Sequence, residues 1–324
     1  LNTLLKRLGM KDLNELRNLI IEMHEFSAAI HQEKMDMGEI SRDYVGSLAE
    51  FWLKWLRTYM LPNYFFCYTV RRVKGNKAIA MEIVALDPRE ITTPILKNCH
   101  ACLNLSGTVN PYVFNNLMGL NASGKRYKGI IAGSPFKKEN IKALIVEGVD
   151  TRRENRTPYM YKKMISKINE VLYCTPANVG IFCASYKVLD GLVENDLRRV
   201  VRKNGKKLFV EERGLSASEN AFMLEDFKSM SRRPDGGGVL LGVCGGRNSE
   251  GEDYPGDYMN SVIMAGFPYH LPTPRVKAKI EYYDEVFQNQ GWEFGYLYPA
   301  IQRANQASGR PIRKADDKGS LIFM

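Results

Sequence analysis

From about residue 100 to its end, the chain alternates short apolar runs of strand composition with longer stretches of helical periodicity. No other feature constrains the fold as much. The runs are Ala101–Leu105, Ile141–Val146, Val179–Ala184, Lys207–Val210, Gly238–Cys244, Ser261–Ala265 and Ser320–Phe323. Helical patterns fit between them at Tyr159–Leu172, Lys187–Val201, Ser218–Met230, Pro274–Gln288 and Tyr298–Ala307. Consecutive strands joined through helices lie parallel, and a parallel sheet needs helices over its faces. The expected class is therefore α/β, a parallel sheet flanked by helices. In such sheets chemistry sits in the loops at the C-terminal ends of the strands.

The first part of the chain has a different period. Leu5, Leu8, Leu13, Leu16, Leu19 and Ile20 recur at helical spacing, and a second stripe runs through Val45, Leu48, Phe51, Trp52 and Trp55. Residues 1–58 are expected to be helical, up to Pro62. From Tyr64 to Leu86 two β-rich runs flank Gly75-Asn76, a hairpin signal. The Arg232–Gly238 stretch is a turn-rich loop, too short to separate domains. A length of 324 residues suits about two units. Because Leu1 is not a start methionine and a helix is already under way there, a fragment is expected.

Composition narrows the class. With 44% hydrophobic and 25% charged residues the chain is globular in type, and its apolar runs are far shorter than the ~20 residues of a membrane helix. The net charge of +10 favours polyanions such as nucleic acid, or is simply solvated. Six scattered cysteines read as reduced and intracellular. Cys99-His100-Ala101-Cys102 is a CxxC without a second pair, expected to be two buried thiols beside a strand and not a metal site. Gly119–Lys125 nearly spells a phosphate-binding loop. Arg126 stands where the motif needs Ser or Thr, and no good strand precedes it.

Three segments carry candidate chemistry. Gln306, Arg310 and Arg313 are spaced i, i+4, i+7 and share a face if helical, giving a forked clamp for a phosphoryl group or a basic helix end satisfying its last carbonyls. Pro311 ends the helix near Arg310, which weakens the shared face for Arg313. The glycine-rich, acidic run from Gly245 to Gly256, with Glu250, Gly251 and Asp253, follows a strand; it is either a ligand loop or an acidic surface loop. Ser106-Gly107-Thr108, after the expected strand Ala101–Leu105, is a relay between sites or a plain turn.

Taken together and in this order, Ser-Gly-Thr, Ser-Glu-Gly-x-Asp-Tyr and Gln-x-x-Gly-Arg-x-x-Arg resemble helicase motifs III, V and VI of superfamily 2, in the detail of the XPD family. Phe182–Lys187 resembles motif IV, and Val262–Tyr269 with Arg275–Phe287 resembles the stretch after motif V. The resemblance implies two RecA-like motor domains. Residues 1–58 would be the end of a helical arch insertion, 59–110 the returning C-terminal part of the first motor domain, and 111–324 the second motor domain. The phosphate-binding loop, the magnesium-binding acids and the cysteines of a 4Fe-4S cluster would lie in a preceding half, so the isolated chain would lack ATPase.

The same resemblance implies roles by position. Arg310 and Arg313 would reach the γ-phosphate of ATP, Gln306 would position the attacking water or phosphate, Glu250, Gly251 and Asp253 would face the nucleotide, and Ser106 and Thr108 would couple the domains. Ser185, Tyr186 and Lys187 would meet the DNA backbone. Thr151, Arg152 and Arg156 are candidates for phosphate contacts; Trp292, with Tyr296 near it, is either a core aromatic or a base-stacking ring. The implied activity is an ATP-dependent 5′–3′ DNA helicase of nucleotide excision repair. ATP, Mg2+ and single-stranded DNA would be its ligands, repair-complex proteins its partners, and a cytoplasmic, archaeal monomer its form. A non-enzymatic single-stranded nucleic-acid-binding module or a repair-complex scaffold are the alternatives.

Overall fold

The structure is a computed structural model that describes residues 2–39, 42–73, 75–233 and 236–324. Pro234 and Asp235 of the turn-rich loop, and Leu1, lie outside the described residues. The chain divides into two units, residues 1–88 with Thr273–Tyr282 and residues 89–272 with 283–324.

In the first unit, α1 (Asn2–Leu8), α2 (Leu13–Asp36) and α3 (Tyr44–Thr58) bury Leu5, Leu16, Ile20, Ala49 and Leu56 together. Asp12 caps α2 by accepting from the Asn14 and Glu15 amides, which satisfies donors that a helix start leaves open. Asp43 caps α3 at Gly46 and accepts from Ser27 of α2, so one carboxylate starts one helix and ties it to another. The stripe expected on α3 is displaced in part. Its C-terminal part holds, since Trp52 and Trp55 pack inward, while Val45 and Leu48 are exposed and Ala49, Leu53 and Leu56 take their place. Strands β1 (Tyr64–Val73) and β2 (Asn76–Ala85) pair antiparallel with Val73 opposite Asn76, so Asn76 already belongs to the strand. Gly75 takes φ +85°, which a residue without Cβ adopts cheaply; Lys74 lies outside the described residues. The beginning of α11 (Pro274–Val286) completes this unit. Arg275 pairs with Glu82, and Tyr282 donates to Asp87 at 2.8 Å.

The second unit opens with α4 (Arg89–Asn98) and α5 (Pro111–Leu117). A parallel sheet follows, ordered β3-β8-β7-β4-β6-β5. Its strands are β3 (Ile141–Ile145), β4 (Val179–Cys183), β5 (Lys206–Val210), β6 (Gly237–Val243), β7 (Ser261–Ala265) and β8 (Gly319–Phe323). The period of two divides the strand residues between two cores. Val179, Ile181, Val239, Leu241 and Ile263 pack with α6 (Pro158–Cys174), α7 (Tyr186–Glu194) and α8 (Leu197–Lys203). Phe182, Leu240, Val262 and Met264 pack with α9 (Ala217–Ser229) and with Ala304 and Ala307 of α12 (Tyr298–Ser308) on the opposite face. The central strands β4, β6 and β7 are buried along their whole length, which explains their continuous apolar composition.

Two expectations are corrected. Ala101–Leu105 is not a strand; it is extended coil with Leu103 81% and Leu105 85% exposed. A strand is stable only when a neighbour takes its backbone bonds, and among the described residues none pairs with it. The helix expected over Lys187–Val201 is two helices. Asp196 takes φ +75° between them, and Asn195 folds back onto the Gly191 carbonyl at 2.8 Å, competing with the helical bonds as short amides do. Truncating Ile181, wholly buried in β4, to alanine is expected to cost about 2–5 kcal/mol of the second unit's stability, measured as a lower urea midpoint.

Candidate functional site

All six strands of the sheet point the same way, so the loops after them gather at one edge. Beside it, an open cleft of about 460 Å³ is lined by Ser106, Thr108, Gly245, Glu250 and Gln306. The three sequence segments singled out above therefore share one cavity. Ser106 and Thr108 form the plain turn that was one of the two readings. The Thr108 amide donates to Ser106 Oγ at 3.2 Å, closing a turn, and the turn faces the cleft. The next residues hold it there, because the Asn110 amide donates to the Tyr298 hydroxyl at the start of α12 and Tyr112 meets Phe294 edge-on at 6.2 Å.

The acidic loop is anchored in the core and is no ordinary surface loop. After β6, Gly245 takes φ +77°, and α10 (Arg247–Glu250) begins at Gly246. Asn248, Ser249 and Tyr254 are completely buried, with the Tyr254 hydroxyl donating to the Asn248 carbonyl at 3.0 Å. Arg310 fastens the loop from the other side. Arg310 is 6% exposed, and its guanidinium donates to the carbonyls of Gln306 (2.9 Å), Glu250 (3.1 Å) and Glu252. Arg313 is different. Its Nε lies 3.1 Å from the exposed Asp253 carboxylate and its side chain is 36% exposed. The helix ends at Ser308, one turn short of carrying both arginines, with the Gly309 amide closing on Asn305. The shared face thus stops at Gln306. Gly251 ends α10, its amide bonded to the Arg247 carbonyl.

The nucleic-acid candidates are placed less uniformly. Ser185 and Tyr186 follow β4, with Lys187 exposed in the first turn of α7 and Ser185 Oγ buried without a hydrogen-bond partner. Thr151 sits over Gly266, the residue after β7, so closely that a Cβ on Gly266 would be 2.4 Å from Thr151 Oγ1. Arg152 is bound to Asp150 through Nε (2.8 Å), and this holds the Asp150 carboxyl far below the usual carboxylate range. Arg156 donates to the Thr151 carbonyl at 2.7 Å. Both arginines brace the loop after β3. Trp292 is not a core residue. It is 50% exposed and lies 4.5 Å from Tyr296, whose ring stacks on Tyr269 at 5.0 Å with planes 11° apart.

Gly119–Lys125 follows helix α5, not a strand, and Lys125 donates to the Cys99 carbonyl. Cys102 is exposed and Cys99 half-buried, which corrects the expectation of two buried thiols; no strand forms there to cover them. Cys244, beside the cleft, is held as a thiol because burial pushes it up to about 12.

A helicase C-terminal domain profile matches residues 168–324. This chain is XPD-like, with a helicase C-terminal domain at residues 168–324. It is 25% identical over 253 residues to the helicase subunit XPD/RAD3 of general transcription and DNA repair factor IIH from Saccharomyces cerevisiae, covering 75% of this chain and 32% of that protein. It is 24% identical over 275 residues to the ATP-dependent DNA helicase CHL1 of Meyerozyma guilliermondii, covering 77% and 32%. It therefore spans about a third of the length of these relatives. A solved XPD helicase shares the fold, with a TM-score of 0.57 at 17% identity over 97% of this chain and 52% of the other.

The cleft also holds residues that the motifs do not include. Gln302 and Arg303 line it from α12, one turn before Gln306. The i, i+4 spacing used for Gln306 and Arg310 reaches Gln302 when run in the other direction. Arg303 donates to the Pro268 carbonyl at 2.8 Å and faces His270. Asp317 accepts from the Arg313 and Lys314 amides at 2.7 Å and from Gly256 at 3.1 Å, fixing the turn that carries Arg313; only the fold brings it there. Arg310→Ala is expected to lower stability by about 3 kcal/mol, because buried carbonyls lose their charged donor. Arg313→Ala is expected to cost under about 1 kcal/mol, the range of a surface ion pair. Urea denaturation of the two variants separates these outcomes.

Proposed function

We propose that this chain supplies one motor domain of an ATP-dependent DNA helicase that moves 5′ to 3′ on single-stranded DNA in nucleotide excision repair. The observation that carries this reading is the cleft itself. It joins Ser106 and Thr108, Gly245 and Glu250, and Gln306, residues from three separate sequence motifs, in one cavity. Its groups are hydroxyls, an amide, one carboxylate and neighbouring guanidiniums, a set that fits a polyphosphate and a sugar hydroxyl. It does not fit a metal grip, since among the described residues no group of three His, Cys, Asp or Glu side chains is gathered. On this reading the phosphate-binding loop and the metal-binding acids belong to another part of the full protein, as do the 4Fe-4S cluster ligands. Residues 1–58 then serve as the end of an arch.

The geometry divides the two arginines of the last motif between two tasks. Arg310 is committed to backbone carbonyls and shapes the loop bearing Glu250. Among the described residues the Arg313 guanidinium pairs with one exposed carboxylate, so it can exchange Asp253 for a phosphate. A guanidinium so placed stabilises charge on a transferring phosphoryl group. Nucleic acid is received along the sheet edge by Ser185, Tyr186 and Lys187 and by the ring group of Tyr269, Trp292 and Tyr296, where bases stack.

DNA-stimulated ATPase of the full-length protein tests the assignment. Arg313→Ala is expected to lower turnover about 10³-fold with DNA binding retained. Unchanged turnover would remove Arg313 from the chemistry. Binding that weakens with salt, in a wild-type protein without turnover, would leave the non-enzymatic binding module. Trp292→Ala is expected to weaken single-strand binding by about 1–3 kcal/mol, measured by fluorescence anisotropy, with turnover at saturating DNA kept.

A further inference from the structure

Glu211 is a buried carboxylate that does not line the cleft. It follows β5, is 6% exposed, and burial pushes its carboxyl up. Two neighbouring positions leave room for it. A Cβ on Gly242 would lie 2.8 Å from Glu211 Oε2, and one on Gly246 would lie 2.5 Å from Oε1. A carboxylate seated among strands this way is costly unless its oxygens are fully served. Here they are served from two sides. The Tyr186 hydroxyl donates to Oε1 at 3.1 Å, and Asn248 Nδ2 donates to Oε2 at 3.0 Å.

These bonds have a fixed direction. Asn220 Nδ2 donates to Asn248 Oδ1 at 2.9 Å, so the Asn248 amide must turn its donor to Glu211. Tyr186 likewise has its donor inward, while its ring lies under the guanidinium of the exposed Arg213 at 4.3 Å. Only an acceptor on both oxygens can end both lines of donors. Tyr186 belongs to the edge proposed to receive DNA, and Asn248 lies in the short helix that presents Glu250 to the cleft.

We propose that Glu211 is a positioning residue that couples engagement of the Tyr186–Arg213 ledge by a nucleic-acid backbone to the placement of Glu250 in the cleft. This rests on the helicase reading above. A displaced Tyr186 moves one end of the carboxylate, and Asn248 follows the other. Arg213 adds an exposed cation to the ledge beside Lys187, one that the sequence motifs do not include.

The test uses the full-length protein and an unstructured single strand, with ATPase measured without and with DNA and affinity measured separately. Glu211→Gln keeps the shape but replaces one acceptor with a donor, so one of the two links is lost. It is expected to keep basal turnover and single-strand affinity while stimulation by DNA falls at least about fivefold, the lower range of a site-to-site coupling. Tyr186→Phe is expected to lose stimulation comparably, and the double variant to lose no more than either single one. Normal stimulation in Glu211→Gln, additive losses, or a parallel loss of basal turnover and affinity would each overturn the coupling role. A wild-type protein without DNA-stimulated turnover would overturn the helicase reading, and this inference with it.

Discussion

The guanidinium of Arg310 holds together what would otherwise be two unrelated loops. It donates to the carbonyls of Glu250 and Glu252 while its Nε caps the end of α12 at Gln306. The planar fork suits this task, since a lysine in its place would offer a point charge without the spread of donors. Asp317 repeats the principle one turn later, collecting amides from residues 256, 313 and 314. Between them, a cation that serves carbonyls and an anion that serves amides set the shape of the region where the last two motifs meet.

The sheet was legible because its physics is periodic. Strands buried on both faces must be apolar throughout, and β4, β6 and β7 announce themselves for that reason. The segment Ala101–Leu105 has the same composition without a neighbour to pair with, and composition carries no information about neighbours. The split at Asn195–Asp196 was readable in principle from the turn-forming pair, but the apolar period runs across it and masks it.

At the site, motif residues were found by order and spacing, and their company by neither. Gln306 and Glu250 line one cleft. The commitment of Arg310 to backbone carbonyls follows from the depth at which the helix end is buried, which no local pattern encodes. Glu211 reads in sequence as one acid of a Glu-Glu pair after a strand. Its meaning comes from glycines at 242 and 246, more than thirty positions away, whose missing side chains make its seat.

The exposed segment after α4 has a consequence for how the molecule behaves in solution. Leu103 and Leu105 are exposed, as are Ile130 (75% exposed) and Ile131 (83% exposed) in another unpaired stretch, and open backbone flanked by large apolar side chains invites pairing with other chains. Against this stands a net charge of +10, which keeps copies apart by mutual repulsion. Repulsion of that kind reaches about 30 Å at 0.01 M salt and about 3 Å at 1 M, whereas apolar attraction does not weaken with salt. The chain on its own would therefore be best dispersed in dilute buffer and self-associate as ionic strength rises.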